Sequence, residues 1–252
     1  MSSGLHVVCA GDGPQILLIH GSAADHRTWS ILLASPLRAR FTLVAYDRRA
    51  GVESIEDHVA DATALLGSGR TVVVGSSFGA VIALELVRRC DRFAGAVLIE
   101  PPLNSAEDAP ATRARFLDDF DRRAAEAGGP AAGELFLRMV LGDGAFERMP
   151  RVFQTQAIAR FAEIRADSVA LFAYRPRYAE LAAVTAPVLL LGGERSARWY
   201  HRTLDELHRA LPAARLEIVP GAGHMLHADA PRRFHALLEE FAAPLLDARA
   251  PA

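Results

Sequence analysis

Six short apolar runs, Gln15 to His20, Thr42 to Tyr46, Thr71 to Val74, Ala94 to Ile99, Pro187 to Leu191 and Leu216 to Val219, alternate with stretches of helical periodicity. Strands that are apolar on both faces and separated by helices belong to a parallel sheet covered on both sides, so the chain is expected to be α/β. A first strand or hairpin is expected within Leu5 to Cys9. The alternation stops from about Leu103 to Ala183, where amphipathic helical segments follow one another. Residues 103–183 are therefore expected to form a helical lid inserted into a core made of 1–102 and 184–252. Phe116, Phe120, Leu135, Phe136, Met139, Val140, Phe153, Phe161, Leu171, Phe172 and Tyr174 fall inside it. Most of them are expected to pack the insertion, with a few facing a cleft at the carboxyl edge of the sheet, where α/β proteins bind ligands.

The third run is followed directly by Gly75-Ser76-Ser77-Phe78-Gly79. A G-x-S-x-G segment between a buried strand and a helix makes a sharp, strained turn that lifts the serine oxygen clear of the sheet. The two glycines remove side chains that would collide there, and Ala80 and Ala83 let the following helix, Phe78 to Arg89, approach the strand. A phosphate-binding loop would carry a lysine before the helix. This chain has no lysine at all, so a nucleophile centred on Ser77 is the sharper reading.

Composition narrows the remaining classes. A chain of 252 residues buries ample apolar area without a metal or disulfide staple. Two cysteines, Cys9 and Cys90, give no disulfide framework and are expected to be reduced. The opening Met-Ser-Ser-Gly-Leu-His is no signal segment, and no apolar stretch approaches the roughly 20 residues that span a bilayer. A soluble, cytoplasmic protein without a membrane partner is expected. A net charge of −2 with interspersed signs argues against nucleic acid as a partner. The histidines and cysteines lack metal-ligand spacing, and neither a metal nor another cofactor is expected. The oligomeric state is not legible in the chain.

Gly221-Ala222-Gly223-His224 follows the last apolar run, so His224 should emerge at the same sheet edge as Ser77. The segment from Asp229 reads as a helix, with Asp229 able to cap it, Pro231 in the first turn, and Phe234, Leu237, Leu238 and Phe241 on one stripe. Serine is a weak nucleophile and needs a base whose ordinary pKa lies near neutrality, which His224 supplies. His20 is read as a support of backbone geometry, and His227 as lying closer to the helix start.

His20-Gly21-Ser22, Gly75-Ser76-Ser77-Phe78-Gly79 and Gly221-Ala222-Gly223-His224, in that order, resemble the α/β-hydrolase superfamily over nearly the whole chain. The resemblance implies a mostly parallel eight-stranded sheet flanked by helices, with a helical cap. It also implies that the backbone N–H groups of Phe78 and Ser22 form an oxyanion hole.

The usual triad acid of that family follows the next-to-last strand in a Gly-x-x-Asp pattern. Here, Leu191-Gly192-Gly193-Glu194-Arg195-Ser196 puts Arg195 or Ser196 at that place. Two carboxylates stay open. Glu194 is one residue early. Glu100, in Ile99-Glu100-Pro101-Pro102, stands at the tip of the strand after the nucleophile helix, and Pro101 is expected to hold it extended. Glu100 is preferred, with Glu194 the alternative; this placement looks like that of resorcylic lactone hydrolases. Asp47 to Ser54 departs from the family's glycine-rich pattern at Ala50 and Val52 and is read as structural.

A serine nucleophile sets aside epoxide hydrolase and haloalkane dehalogenase chemistry, which relies on aspartate. The expectation is a carboxylesterase or lactonase acting on a small to medium, largely apolar ester or lactone. The alternatives are a receptor-like binding protein and a biosynthetic cyclase, acyltransferase or C–C hydrolase of the same fold.

Overall fold

In the computed structural model, residues 4–103, 110–174 and 178–247 are described, with the side chains of 110–113 left aside. The strands are β1 (Val7–Ala10), β2 (Gln15–Ile19), β3 (Thr42–Tyr46), β4 (Thr71–Ser76), β5 (Phe93–Ile99), β6 (Val188–Gly193) and β7 (Ala214–Val219). They form one sheet in the order β1-β3-β2-β4-β5-β6-β7. β1 runs antiparallel to β3 and every other pair is parallel.

Among the described residues the sheet has seven strands, not the eight implied by the resemblance. The segment Leu5 to Cys9, expected to hold a strand or a hairpin, contributes to a single four-residue strand. That length leaves no room for a turn and a second antiparallel partner.

Helices α1 (Ser30–Leu33), α2 (Ile55–Thr63) and α3 (Phe78–Arg89) connect the first five strands. Between β5 and β6 lie α4 (Pro110–Ala127), α5 (Gly129–Leu141), α6 (Asp143–Arg148), α7 (Arg151–Ile158) and α8 (Phe161–Ala173). Residues 104–109 and 175–177 of the expected 103–183 insertion lie outside the described residues. Helix α9 (Arg198–Ala210) joins β6 to β7, and α10 (Leu226–Asp229) and α11 (Pro231–Asp247) end the described chain.

Alternation along the strands builds two cores. Leu17, Ile19 and Val73 face one side with α3 residues such as Val81 and Leu84. Ile16, Leu18, Val72 and Val74 face the other, against Trp29 and the α11 stripe Phe234, Leu237 and Leu238. Each fully buried aliphatic or aromatic side chain contributes about 1.5–3 kcal/mol, so the central strands carry much of the stability. A third cluster, Phe120, Ala132, Leu137, Phe146 and Ile164, lies among the helices between β5 and β6. Phe116 reaches Phe120, Phe136 and Phe172 at ring distances of 5.9, 6.3 and 5.9 Å. No described helix is long and apolar enough to cross a membrane.

Candidate active site

Close packing explains the nucleophile turn. A Cβ on Gly75 would lie 2.2 Å from the Gly79 carbonyl oxygen, and one on Gly79 would lie 2.3 Å from that of Ile19. The start of α3 therefore sits on β4 and β2 at backbone contact distance, which only glycine allows. Ser77 takes φ 52°, ψ −121° between β4 and α3, and its amide donates to Ile99 O at 2.8 Å. Its side chain is half-buried. Phe78 N–H is the first amide of α3, one of the donors that a helix start leaves without an intrahelical acceptor.

Among the described residues, three non-glycine residues have positive φ: Ala23 (59°), Ser77 (52°) and Glu100 (44°). Ala23 sits in the loop after β2, Ser77 at the tip of β4, and Glu100 at the tip of β5. Residues held outside the ordinary backbone regions cost of order 1–3 kcal/mol each and cluster where function over-determines the geometry. The value at Glu100 corrects the extended conformation expected from Pro101. Its amide still donates to Leu191 O at 3.1 Å, continuing the β5–β6 ladder while the chain turns.

Glu100 is fully buried. One carboxylate oxygen, Oε2, lies 2.6 Å from His224 Nδ1, and the other accepts Gly193 N–H at 2.7 Å. A carboxylate oxygen at Nδ1 accepts a proton carried there, which makes Nε2 the acceptor nitrogen of the neutral ring. Glu194 points elsewhere: it is exposed and accepts the Gly221 amide at 2.8 Å. Asp229 accepts Gly223 N–H at 2.8 Å, so carboxylates hold two amides of the loop just before His224.

His224 is buried, and sequence reasoning missed what covers it. Tyr200, at the start of α9, stacks on the imidazole with ring centroids 4.5 Å apart, and its hydroxyl lies 3.2 Å from Nε2. Trp199 stacks on the far side of the phenol at 3.5 Å. Tyr200, Thr203, Leu204 and Leu207 form the buried face of α9, a helical stripe that reads as core. The one signal for another role was its position in the first turn after the loop where the resemblance leads one to look for an acid. Burial, followed by the Glu100 charge, pushes the Tyr200 phenol well above its ordinary pKa; hydrogen bonding from Ser77 acts in the opposite direction.

The loop after β2 is built around His20. Nδ1 is 2.8 Å from Gly21 O, and Nε2 accepts Arg48 N–H at 3.1 Å. Burial, then the Arg48 charge, pushes His20 down to about 3, so it stays neutral and acts as a backbone brace. Arg48 also donates to the carbonyls of His20 and Gly21 at 3.3 and 3.1 Å. The same guanidinium grips Asp167 of α8 through two bonds of 2.8 and 2.7 Å, with both side chains buried. Ser22 Oγ donates to Asp167 at 2.7 Å. A second tie joins Arg160, before α8, to Asp25 at 2.7 Å. These loop contacts were not legible, because Asp167 lies 145 residues from Ser22.

His227 belongs to α10, is buried beside Trp29 at 5.0 Å, and among the described residues has no hydrogen-bond partner for either ring nitrogen. His6, His26 and Asp47 bring candidate metal-binding atoms within 4.8 Å of one another. There, Asp47 Oδ1 already accepts both the amide and Nδ1 of His26 at 2.8 Å. A concavity of about 350 Å³ lined by Ile55, Arg88, Arg89 and Ala170 opens at the far end of α3 and shares no residue with the Ser77–His224 region.

Similarity to known proteins agrees with this architecture. Carboxylesterase YbfK of Bacillus subtilis is 27% identical over 247 residues, spanning 90% of this chain and 80% of that protein. Two further Bacillus subtilis proteins match over stretches that cover 21% and 36% of their lengths. Among solved structures, an esterase from Thermogutta terrifontis superposes with a TM-score of 0.78 at 23% identity, covering 96% of this chain and 94% of its own. MenH from S. aureus superposes at 0.79 and 15% identity, covering 97% and 99%. At those identities the likeness is one of fold. The sequence profile described as "Alpha/beta hydrolase family" matches residues 16–237, from β2 through the nucleophile turn and the His224 loop into α11, and this chain belongs to that family.

Proposed function

We propose that this protein is a serine hydrolase that cleaves a carboxylic ester or lactone of a small to medium, largely apolar substrate. The observation that carries the reading is the buried 2.6 Å contact between Glu100 Oε2 and His224 Nδ1, in the same site as a strained serine. Ser77 attacks the carbonyl carbon, His224 Nε2 receives its proton, and Glu100 orients the imidazole and stabilises the imidazolium. The amides of Phe78 and Ser22 stabilise the oxyanion; one such donor is worth about 2.7–4 kcal/mol of barrier. The tetrahedral adduct collapses to an acyl-enzyme as His224 protonates the leaving oxygen, and water repeats the sequence to release the acid.

The acid comes from β5 and not from the loop after β6, the placement noted above for resorcylic lactone hydrolases. Helices α4–α8 act as a lid over the site, and the Phe116 cluster supplies its apolar interior. The free cysteines, Cys9 exposed and Cys90 half-buried, suit a reducing cytoplasm.

The test is labelling with a fluorophosphonate, read by intact mass and peptide mapping beside Ser77→Ala. One adduct on Ser77, absent from the variant, is expected, followed by ester and lactone turnover with products of hydrolysis by mass. A folded protein that takes up no label overturns the reading in favour of a binding protein.

A further inference from the structure

The Ser22 amide belongs to the peptide between Gly21 and Ser22, and in a planar trans peptide the N–H points opposite to the C=O. Whatever holds Gly21 O therefore aims Ser22 N–H. Two donors hold it, His20 Nδ1 at 2.8 Å and Arg48 Nη2 at 3.1 Å. This peptide lies against the nucleophile, since a Cβ on Gly21 would come 3.0 Å from Ser77 Cβ. The Arg48 guanidinium also stands 4.7 Å from the ring centre of Phe78.

Arg48 is itself held by the helical insertion. Asp167 of α8 accepts Nη1–H at 2.8 Å and Nη2–H at 2.7 Å, and its Oδ2 also accepts Ser22 Oγ–H at 2.7 Å. Both side chains of the ion pair are buried, so the two-pronged grip is shielded from salt and fixes the plane of the guanidinium. Two neighbouring residues meet the insertion as well. Ala23, with φ 59°, is buried in the cluster of Phe120, Ala132, Phe146 and Ile164, and Asp25 accepts from Arg160 at 2.7 Å.

We propose that Asp167 is a positioning residue that sets the oxyanion hole from the lid, an inference that rests on the serine-hydrolase reading. It acts on the Ser22 amide by two routes: through Arg48 it fixes the carbonyl of the same peptide, and through Ser22 Oγ it fixes the residue that carries the N–H. Without the carboxylate charge the guanidinium loses its fork partner and the peptide is free to tilt, so the N–H leaves the direction of the oxygen that gains charge. That costs more in the transition state than in the bound substrate. The hydrogen bonds to Gly21 O also polarise the peptide and strengthen its N–H as a donor. An ion pair that served only to hold α8 down would need neither Ser22 Oγ nor the Gly21 carbonyl.

The test is Asp167→Asn, which keeps the shape and removes the charge, assayed on p-nitrophenyl butyrate. Titration of Ser77 with a fluorophosphonate counts competent sites, so kcat is expressed per labelled site and partial unfolding drops out. The expected result is a fall of about tenfold or more in kcat per site with KM changed by less than about threefold, against about 10²–10³ for outright loss of an oxyanion donor. A trifluoromethyl ketone, whose adduct with Ser77 carries the oxyanion, should lose affinity by a similar factor. Equal kcat per site, or a rise in KM alone, overturns the positioning role while leaving the hydrolase reading intact. If Asp167→Asn does not fold, Ser22→Ala decides by the same measures, because it keeps the amide and the Arg48–Asp167 pair and cuts only the hydroxyl tie. Absence of both labelling and turnover in the unsubstituted protein overturns the hydrolase reading and the positioning role together.

Discussion

Glu100 Oε1 accepts the amide hydrogen of Gly193 at 2.7 Å, so the end of β6 holds a carboxylate that originates on β5. Glutamine at 100 would offer the imidazole a neutral oxygen or an N–H and would weaken the hold on its tautomer. Glu100→Gln is expected to lose about 10³–10⁴ in kcat with near-normal folding, as buried triad acids do. Glu194→Gln, altered on an exposed residue, is expected to stay within about tenfold. Steady-state kinetics on both variants, with Tm as the folding control, check this. The reverse ranking would reassign the acid.

The Arg48–Asp167 pair should be far more costly to break than a surface pair of similar geometry. Asp167→Ala strands a buried guanidinium and removes the acceptor of Ser22 Oγ, for an expected loss of about 3–5 kcal/mol. Asp121→Ala removes the partner of Arg165, an exposed pair at 2.7 Å, and should cost no more than about 1 kcal/mol. Denaturant midpoints with unchanged m-values would show the contrast, and equal losses would contradict it.

His227 holds two unpartnered ring nitrogens in a buried setting, a cost that its contacts with Trp29 and Phe234 do not remove. Replacing it with leucine exchanges unsatisfied polar atoms for apolar ones of similar bulk. The expected gain is about 1 kcal/mol, read as a higher denaturation midpoint. A loss would mean that the imidazole makes interactions that the leucine cannot replace.

Acid should destabilise the fold through three buried histidines. Burial is the largest cause in each case: His20 and His227 are pushed down to about 3, and His58 to about 4, from an ordinary 6.5. Below about pH 6.5 the unfolded chain takes up protons at these residues while the folded protein does not. Stability therefore falls as pH drops from about 6.5 toward 3–4, by up to about 1.4 kcal/mol per pH unit for each group. Denaturation across that window should show the slope, and His227→Leu should make it shallower.

The parts of the site that were legible are those set by strand ends. Ser77, Glu100 and His224 follow β4, β5 and β7, and the apolar runs locate those strands to within a few residues. Tyr200 was hidden by its own environment, because an aromatic at i of an i, i+3, i+4, i+7 stripe looks the same whether it packs the core or stacks on the His224 imidazole. Arg48 and Asp167 were hidden by separation, since local periodicity carries no information about which polar residues of distant elements meet. The backbone at Glu100 was misread for a third reason: the bias exerted by a following proline is weak beside two hydrogen bonds that fix the carboxylate and one that fixes the amide.

Glu100 is followed at once by the segment that leads into the helices between β5 and β6. The carboxylate therefore stands on a left-handed residue at the point where the chain leaves β5. In a protein whose acid follows β6, the insertion could be exchanged without touching the triad. With Glu100 as the proposed acid, a graft joined at Pro101 would inherit its geometry, so substrate preference and catalytic competence would have to evolve in step.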